Sequence, residues 1–206
     1  ADENDPVMRD HAIALIAKSS AYQLSSRFEG RWKPEYARYY ARRFVRRLSA
    51  EELFDAISQA TDAFPELRIG GTDRKVKFIL QSHSSEDVSD PEMRRFLGFF
   101  GQSNRDSDTR SFAGSVVQAS LLLNSDIVKK KVLRSSEGTR VQKLLSRKPT
   151  LTAKEIAEEL YLATLSRFPT NEELAISVAA LEQDPEHGAE DLQWALLNKV
   201  DFTFNY

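Results

Sequence analysis

At 206 residues, with 41% hydrophobic and 29% charged side chains, the chain has the composition of a folded globular protein with one substantial core. A formal net charge of −2 gives no global attraction to nucleic acid or anionic membrane, so such binding needs a local basic patch. The absence of cysteine excludes disulfides, thiol catalysis, cysteine-held zinc, iron–sulfur clusters and covalent haem attachment within these residues.

In chain order, residues 1–6 (ADENDP) are acidic and lack the apolar core of a signal peptide. Residues 11–25 then place Ile13, Leu15, Ile16 and Leu24 in a helical pattern, which breaks at residues 27–30. Ser49-x-x-Glu52 is a capping box, in which hydroxyl and carboxylate satisfy free amides at a helix start, and Leu53, Phe54, Ile57 and Ala60 recur behind it to about Thr61. Residues 64–89 carry Gly70-Gly71 and an alternation around Val76–Leu80, the pattern of a loop or short strand. Asp90-Pro91 opens a further helix that buries Met93, Phe96, Leu97 and Phe100. A long apolar segment over 109–133, with Val116, Val117, Ala119, Leu121, Leu122 and Leu123, is expected deep in the core. Two more capping boxes follow at Thr152-x-x-Glu155 and Thr170-x-x-Glu173, and Asp184-Pro185 starts a last helix burying Leu192, Leu196 and Leu197. No apolar run approaches the roughly 18 residues that a membrane span requires. Residues 1–206 therefore read as mainly α: a single helical domain with irregular loops and room for a short strand pair.

Two constellations carry chemistry. Residues 31–47 set seven cations against one acid and interleave them with Trp32, Tyr36, Tyr39, Tyr40 and Phe44. Arg38, Arg42, Arg43, Arg46 and Arg47 would there bind phosphates while ring faces meet bases. The competing reading is a turn and helix packed through Tyr36, Tyr40, Phe44 and Val45, and the overall acidity favours it. The loop over 99–108 offers Asn104, Arg105, Asp106 and Asp108 as candidate ligand-binding residues. Asn104, Asp106 and Asp108 alternate like the first three ligands of a calcium loop, but Thr109 stands where that loop needs glycine and Ser115 where it needs glutamate. The competing role is helix capping, with Asp108 as N-cap. The three histidines, His11, His83 and His187, have no metal-pair spacing, and the Glu pairs at 51–52, 158–159 and 172–173 point about 100° apart on a helix. No catalytic constellation is complete, and no metal or cofactor is implied.

The words formed by residues 20–26, 39–51, 100–105, 118–124, 159–170 and 194–198, with Phe202 and Phe204, resemble the C-terminal portion of the domain of unknown function numbered 1553. That family occurs in planctomycetes and acidobacteria. The resemblance implies an exported multidomain protein, periplasmic or extracellular, with cytochrome c-like neighbours and genomic links to polysaccharide or cell-surface processes. It also implies that further helices of a larger family domain lie upstream. Relatives carry cysteines in the loop after the Phe100-Gly101 word, where this chain has Ser107 and Ser111, which argues against a redox or metal role there. The favoured expectation is a helical accessory or interaction module that contacts neighbouring domains of its parent or a glycan. The alternatives are a glycan hydrolase-like enzyme whose site is completed by upstream domains, and nucleic-acid binding through 31–47.

Overall fold

The computed structural model describes residues 6–68, 75–81, 90–100, 116–133 and 135–205. They are mainly α-helical, and no described helix is long and apolar enough to cross a membrane. The chain divides into two compact units, Ala1–Arg46 and Arg47–Asn205.

The first unit opens with α1 (Pro6–Lys18). The apolar pattern to Ser25 overruns the observed end because Ser19 stops the helix, turning its Oγ onto the Ile16 carbonyl at 2.7 Å. Gln23 Nε2 donates to the Ala17 carbonyl at 2.7 Å, satisfying another terminal acceptor. A short 3₁₀ helix, Pro34–Tyr39, follows, with proline at its start and Tyr40 ending it at φ 49°, in the left-handed region. What holds this unit together is aromatic. Trp32 sits 5.2 Å from Phe28, 5.9 Å from Tyr36 and 6.3 Å from Phe44, each edge-on. Arg43 N–H ties the returning chain to the Ser25 carbonyl at 3.0 Å. The expected packing through Tyr36 and Phe44 is present, but Tyr40 is 70% exposed and Val45 is exposed too, because the left-handed turn at Tyr40 carries its ring away from the cluster.

The second unit is built on α2 (Ala50–Thr61), which starts at the complete Ser49–Glu52 capping box. Its buried face presents Leu53, Phe54, Ile57 and Ala60 to α3 (Pro91–Phe99), α5 (Asp126–Val132) and α7 (Ala153–Leu165). Before α2, β1 (Arg46–Arg47) pairs with β4 (Phe204–Asn205), and Leu48 N–H donates to the Thr203 carbonyl at 3.0 Å. Within 64–89, read as loop or short strand, β2 (Leu67–Arg68) pairs with β3 (Lys75–Val76), antiparallel, in the register Leu67 to Val76, and the alternation to Leu80 instead enters a 3₁₀ turn at Ile79–Gln81. The segment over 109–133 is not one continuous apolar core element. Among its described residues, α4 (Val116–Asn124) ends at Ser125, whose side chain caps α5, and Leu123 is exposed while Leu122 is buried.

After α6 (Arg140–Leu145), helices α7, α8 (Asn171–Gln183) and α9 (Pro185–Leu197) pack mutually over Leu160, Tyr161, Leu181 and Leu196. Asp184 caps α9 through the amides of Glu186 and His187. The close approach of α9 to α8 needs Gly188, since a Cβ there would lie 2.8 Å from the Ala180 carbonyl oxygen. Leu165 packs against both this cluster and the core around α2. The short helix α10 (Val200–Thr203) closes the chain.

The turn after α7 is clamped by charge. Arg167 makes a fork to Glu173 at 2.8 and 2.9 Å and reaches Asp201 at 3.0 Å, while Lys199 and the Thr170 amide also donate to Glu173. These donors, Arg167 foremost, hold the Glu173 carboxyl well below the usual carboxylate range. A depressed carboxylate pKa stabilises the fold fully above the unfolded value, about 4.3, and that contribution fades as pH falls below it. Thermal melts from pH 6 to pH 3 should therefore show a stability loss that Glu173→Gln reduces. An unchanged acid slope in that variant would show that the clamp contributes nothing.

Candidate functional site

Of the residues singled out from sequence, Asn104, Arg105, Asp106 and Asp108 lie outside the described residues. Where their loop departs and returns, however, is defined. Arg47 is buried, and its guanidinium donates to the Phe100 carbonyl at 3.1 Å and to Gln118 Oε1. Gln118 Nε2 in turn donates to the Phe99 carbonyl at 3.0 Å. Residues 47, 100 and 118, far apart in sequence, thus meet at the end of α3. Burial lowers the Arg47 pKa, but a guanidinium stays charged in any protein setting. Beside this knot is a cleft of about 170 Å³ bordered by Glu92, Arg95 and Phe99 on α3, by Phe100 just after it and by residues 124–127.

Of the five arginines proposed for nucleic acid, Arg47 is buried and the other four belong to the first unit. Arg47 is interior to the second unit, where a side chain so bonded is not offered to a polyanion. Arg38 lies over the Tyr39 ring at 4.7 Å, Arg42 over Trp32 at 4.2 Å and Arg43 over Tyr22 at 5.9 Å, all within the first unit. Arg42 Nε is buried without a hydrogen-bond partner, and Arg46 is exposed with an interaction of its own. The charge is also divided between the units: residues 1–46 hold nine Lys/Arg against six Asp/Glu, whereas residues 47–205 hold 20 against 25. Net charge over the whole chain hides this basic unit.

A second constellation lies at the end of α2 and was not legible in the sequence. Arg140 donates to the carbonyls of Ala60 at 2.7 Å and Gln59 at 3.3 Å, and Gln193 reaches Ala60 at 2.9 Å. Lys131 donates to the Ala63 carbonyl and to Ser58 Oγ at 3.1 Å, and Lys143 pairs with Asp62. Cations belong there physically, because the last carbonyls of a helix lack partners and carry its negative dipole end. Asp55, also buried, accepts the amides of Ile79 at 2.8 Å and Leu80 at 3.0 Å. Burial raises the Asp55 pKa, against the pull of those two amides. Burial pushes the Lys131 amine down to about 8, opposed by the Asp55 charge. Its neighbourhood opens into a cleft of about 300 Å³ walled by residues 62–65 and by Lys130, Lys131 and residues 136–139. Among the described residues, no group of three or more His, Asp or Glu could hold a metal ion.

Comparison with known proteins gives a family and nothing finer. No curated protein and no solved structure matches the chain. Residues 9–181 match the family described as PSD1, Protein of unknown function (DUF1553), and with that extent of match the chain belongs to this family.

Proposed function

We propose that the chain is a helical accessory module of an exported bacterial multidomain protein, and that its first unit docks on a neighbouring domain of that protein. The observation that supports this most is exposure. Ile13, Leu15 and Ile16 on α1 are 57%, 60% and 60% exposed, and no described side chain between Met8 and Arg46 is fully buried. A helix with aliphatic residues around its circumference is stable when other elements surround it. Exposed aliphatic side chains grouped on one helix support an interaction site there. The occupant best matched to isoleucine and leucine is a polypeptide, since aliphatic side chains are covered by other apolar side chains. The net excess of three cations over residues 1–46 favours an acidic partner and would speed its encounter.

The double variant Leu15→Asp/Ile16→Asp tests this. Both side chains are exposed, so the chain's own stability should change by less than about 0.5 kcal/mol per site in denaturant titration. Retention of the variant in the intact parent should fail, read as faster proteolysis between the domains. Unaltered proteolysis would count against docking through α1.

A glycan partner is the second reading, favoured by Tyr39 and Tyr40, both exposed in the basic unit. Arginines beside tyrosine rings suit a polysaccharide that bears carboxylates or sulfates. Titrating the chain with acidic polysaccharide and with single-stranded DNA separates glycan from nucleic acid.

A further inference from the structure

We propose that Lys131 is a reactive amine that condenses with a small polar carbonyl compound, a hydroxyaldehyde or hydroxyketone, seated in the cleft between the end of α2 and the α5–α6 turn. This is independent of the docking role of the first unit and rests on three observations.

The first is a place for the ligand. The cleft of about 300 Å³ lies at the lower end of the range for small-molecule sites, and Lys131 forms part of its wall. Phe64 and Pro65 give it apolar faces, while Ser136, Glu137 and Asp62 supply polar groups of the kind that bind hydroxyls.

The second is the bonding of the nitrogen. Lys131 Nζ donates to Ser58 Oγ and to the Ala63 carbonyl. In the neutral amine these acceptors occupy both N–H bonds, and the lone pair is the one position left for an electrophile. Reaction also leaves little unsatisfied. Ser58 Oγ keeps its own bond to the Phe54 carbonyl at 3.0 Å, and Ala63 borders the cleft, where water or ligand can replace the lysine.

The third is basicity. With burial holding this amine to about 8, the fraction neutral at pH 7 is on the order of a hundredfold greater than for an ordinary lysine. Burial outweighs the charged groups that face it. Asp55 on α2 favours protonation, Asp62 is already paired with Lys143, and Lys130 and Glu137 border the cleft. Helix α4 carries no charged residue, and α9 contributes Trp194 and Leu197 to the apolar cluster that contains Val128 and Val132.

The step balances without a further reactant. The nitrogen lone pair forms a bond to the carbonyl carbon as the C=O π bond opens onto oxygen. One amine proton passes to that oxygen to give a carbinolamine, and its hydroxyl then leaves with the second amine proton as water, so that the nitrogen lone pair closes the C=N bond of an imine.

The test uses the intact chain, glyceraldehyde and cyanoborohydride, which traps the imine as a stable secondary amine, followed by peptide mapping across pH 6–9. Lys131 should label at least about tenfold faster than Lys129 and Lys130, with a rate that saturates in glyceraldehyde and a midpoint near pH 8. In denaturant the three should label alike. Labelling of Lys131 no faster than its neighbours, selectivity that survives denaturation, or a rate strictly linear in glyceraldehyde would each overturn the proposal. Linearity would mean a basic-site effect with no seated ligand.

Discussion

Truncating Phe54 to alanine should remove about 3–5 kcal/mol of folding free energy, the range for deleting a fully buried aromatic ring. Phe54 is 2% exposed at the middle of α2 and meets Phe96 of α3 edge-on at 5.6 Å. The Lys131 ammonium lies 5.2 Å from its ring centroid. The deletion therefore opens a cavity where α2 and α3 meet and removes a cation–π contact at the same point. The surroundings are helices already capped and packed, so they can collapse only in part. Phe44→Ala is the internal contrast. Its ring is 44% exposed, and its removal should cost well under 2 kcal/mol, through a loosened Trp32 cluster alone. Equilibrium denaturation of both variants measures the difference. Similar losses would mean that the aromatic cluster of the first unit is a true core.

Arg47→Ala should cost about 2–3 kcal/mol, the range for losing charged hydrogen bonds to buried acceptors. The carbonyl of Phe100 and Oε1 of Gln118 both lose their donor, and a buried polar group without a partner keeps its full desolvation penalty. Arg47→Lys should recover little of this, because a single ammonium cannot reproduce the planar fork that spans the two acceptors. The same substitution should leave binding by the first unit intact, since Arg47 belongs to the second. Denaturation paired with a binding titration checks both parts. A stable variant with weakened polyanion binding would return Arg47 to the surface role first considered for it.

Local rules explain why some of this was legible in the residues. Ser49, Asp90, Thr152, Thr170 and Asp184 each bond to amides two or three positions ahead, so spacing alone marks the helix start. The break at Ser125 was not legible, because apolar residues on both sides of it mask the helical period. The apolar pattern of α1 marks a helix but not what covers it: Ile13, Leu15 and Ile16 are exposed. The site at Lys131 left no trace in spacing, because its partners Ser58 and Ala63 stand 73 and 68 positions away. Only the fold brings them together. Residues 47, 100 and 118 fall between these cases. Each belongs to a word of the family resemblance, but their mutual bonding required the structure.

The proposed docking of the first unit is most directly tested by amide hydrogen exchange in α1, measured in the isolated chain and in the intact parent protein. In the isolated chain, α1 (Pro6–Lys18) should exchange quickly, as a helix whose described side chains, Met8 onward, are not buried does. In the parent, its amides should slow by about tenfold or more, since covering the apolar surface raises the free energy of local opening. Helix α2, already in the core, should exchange alike in both. Equal exchange of α1 in the two proteins would contradict docking through this unit.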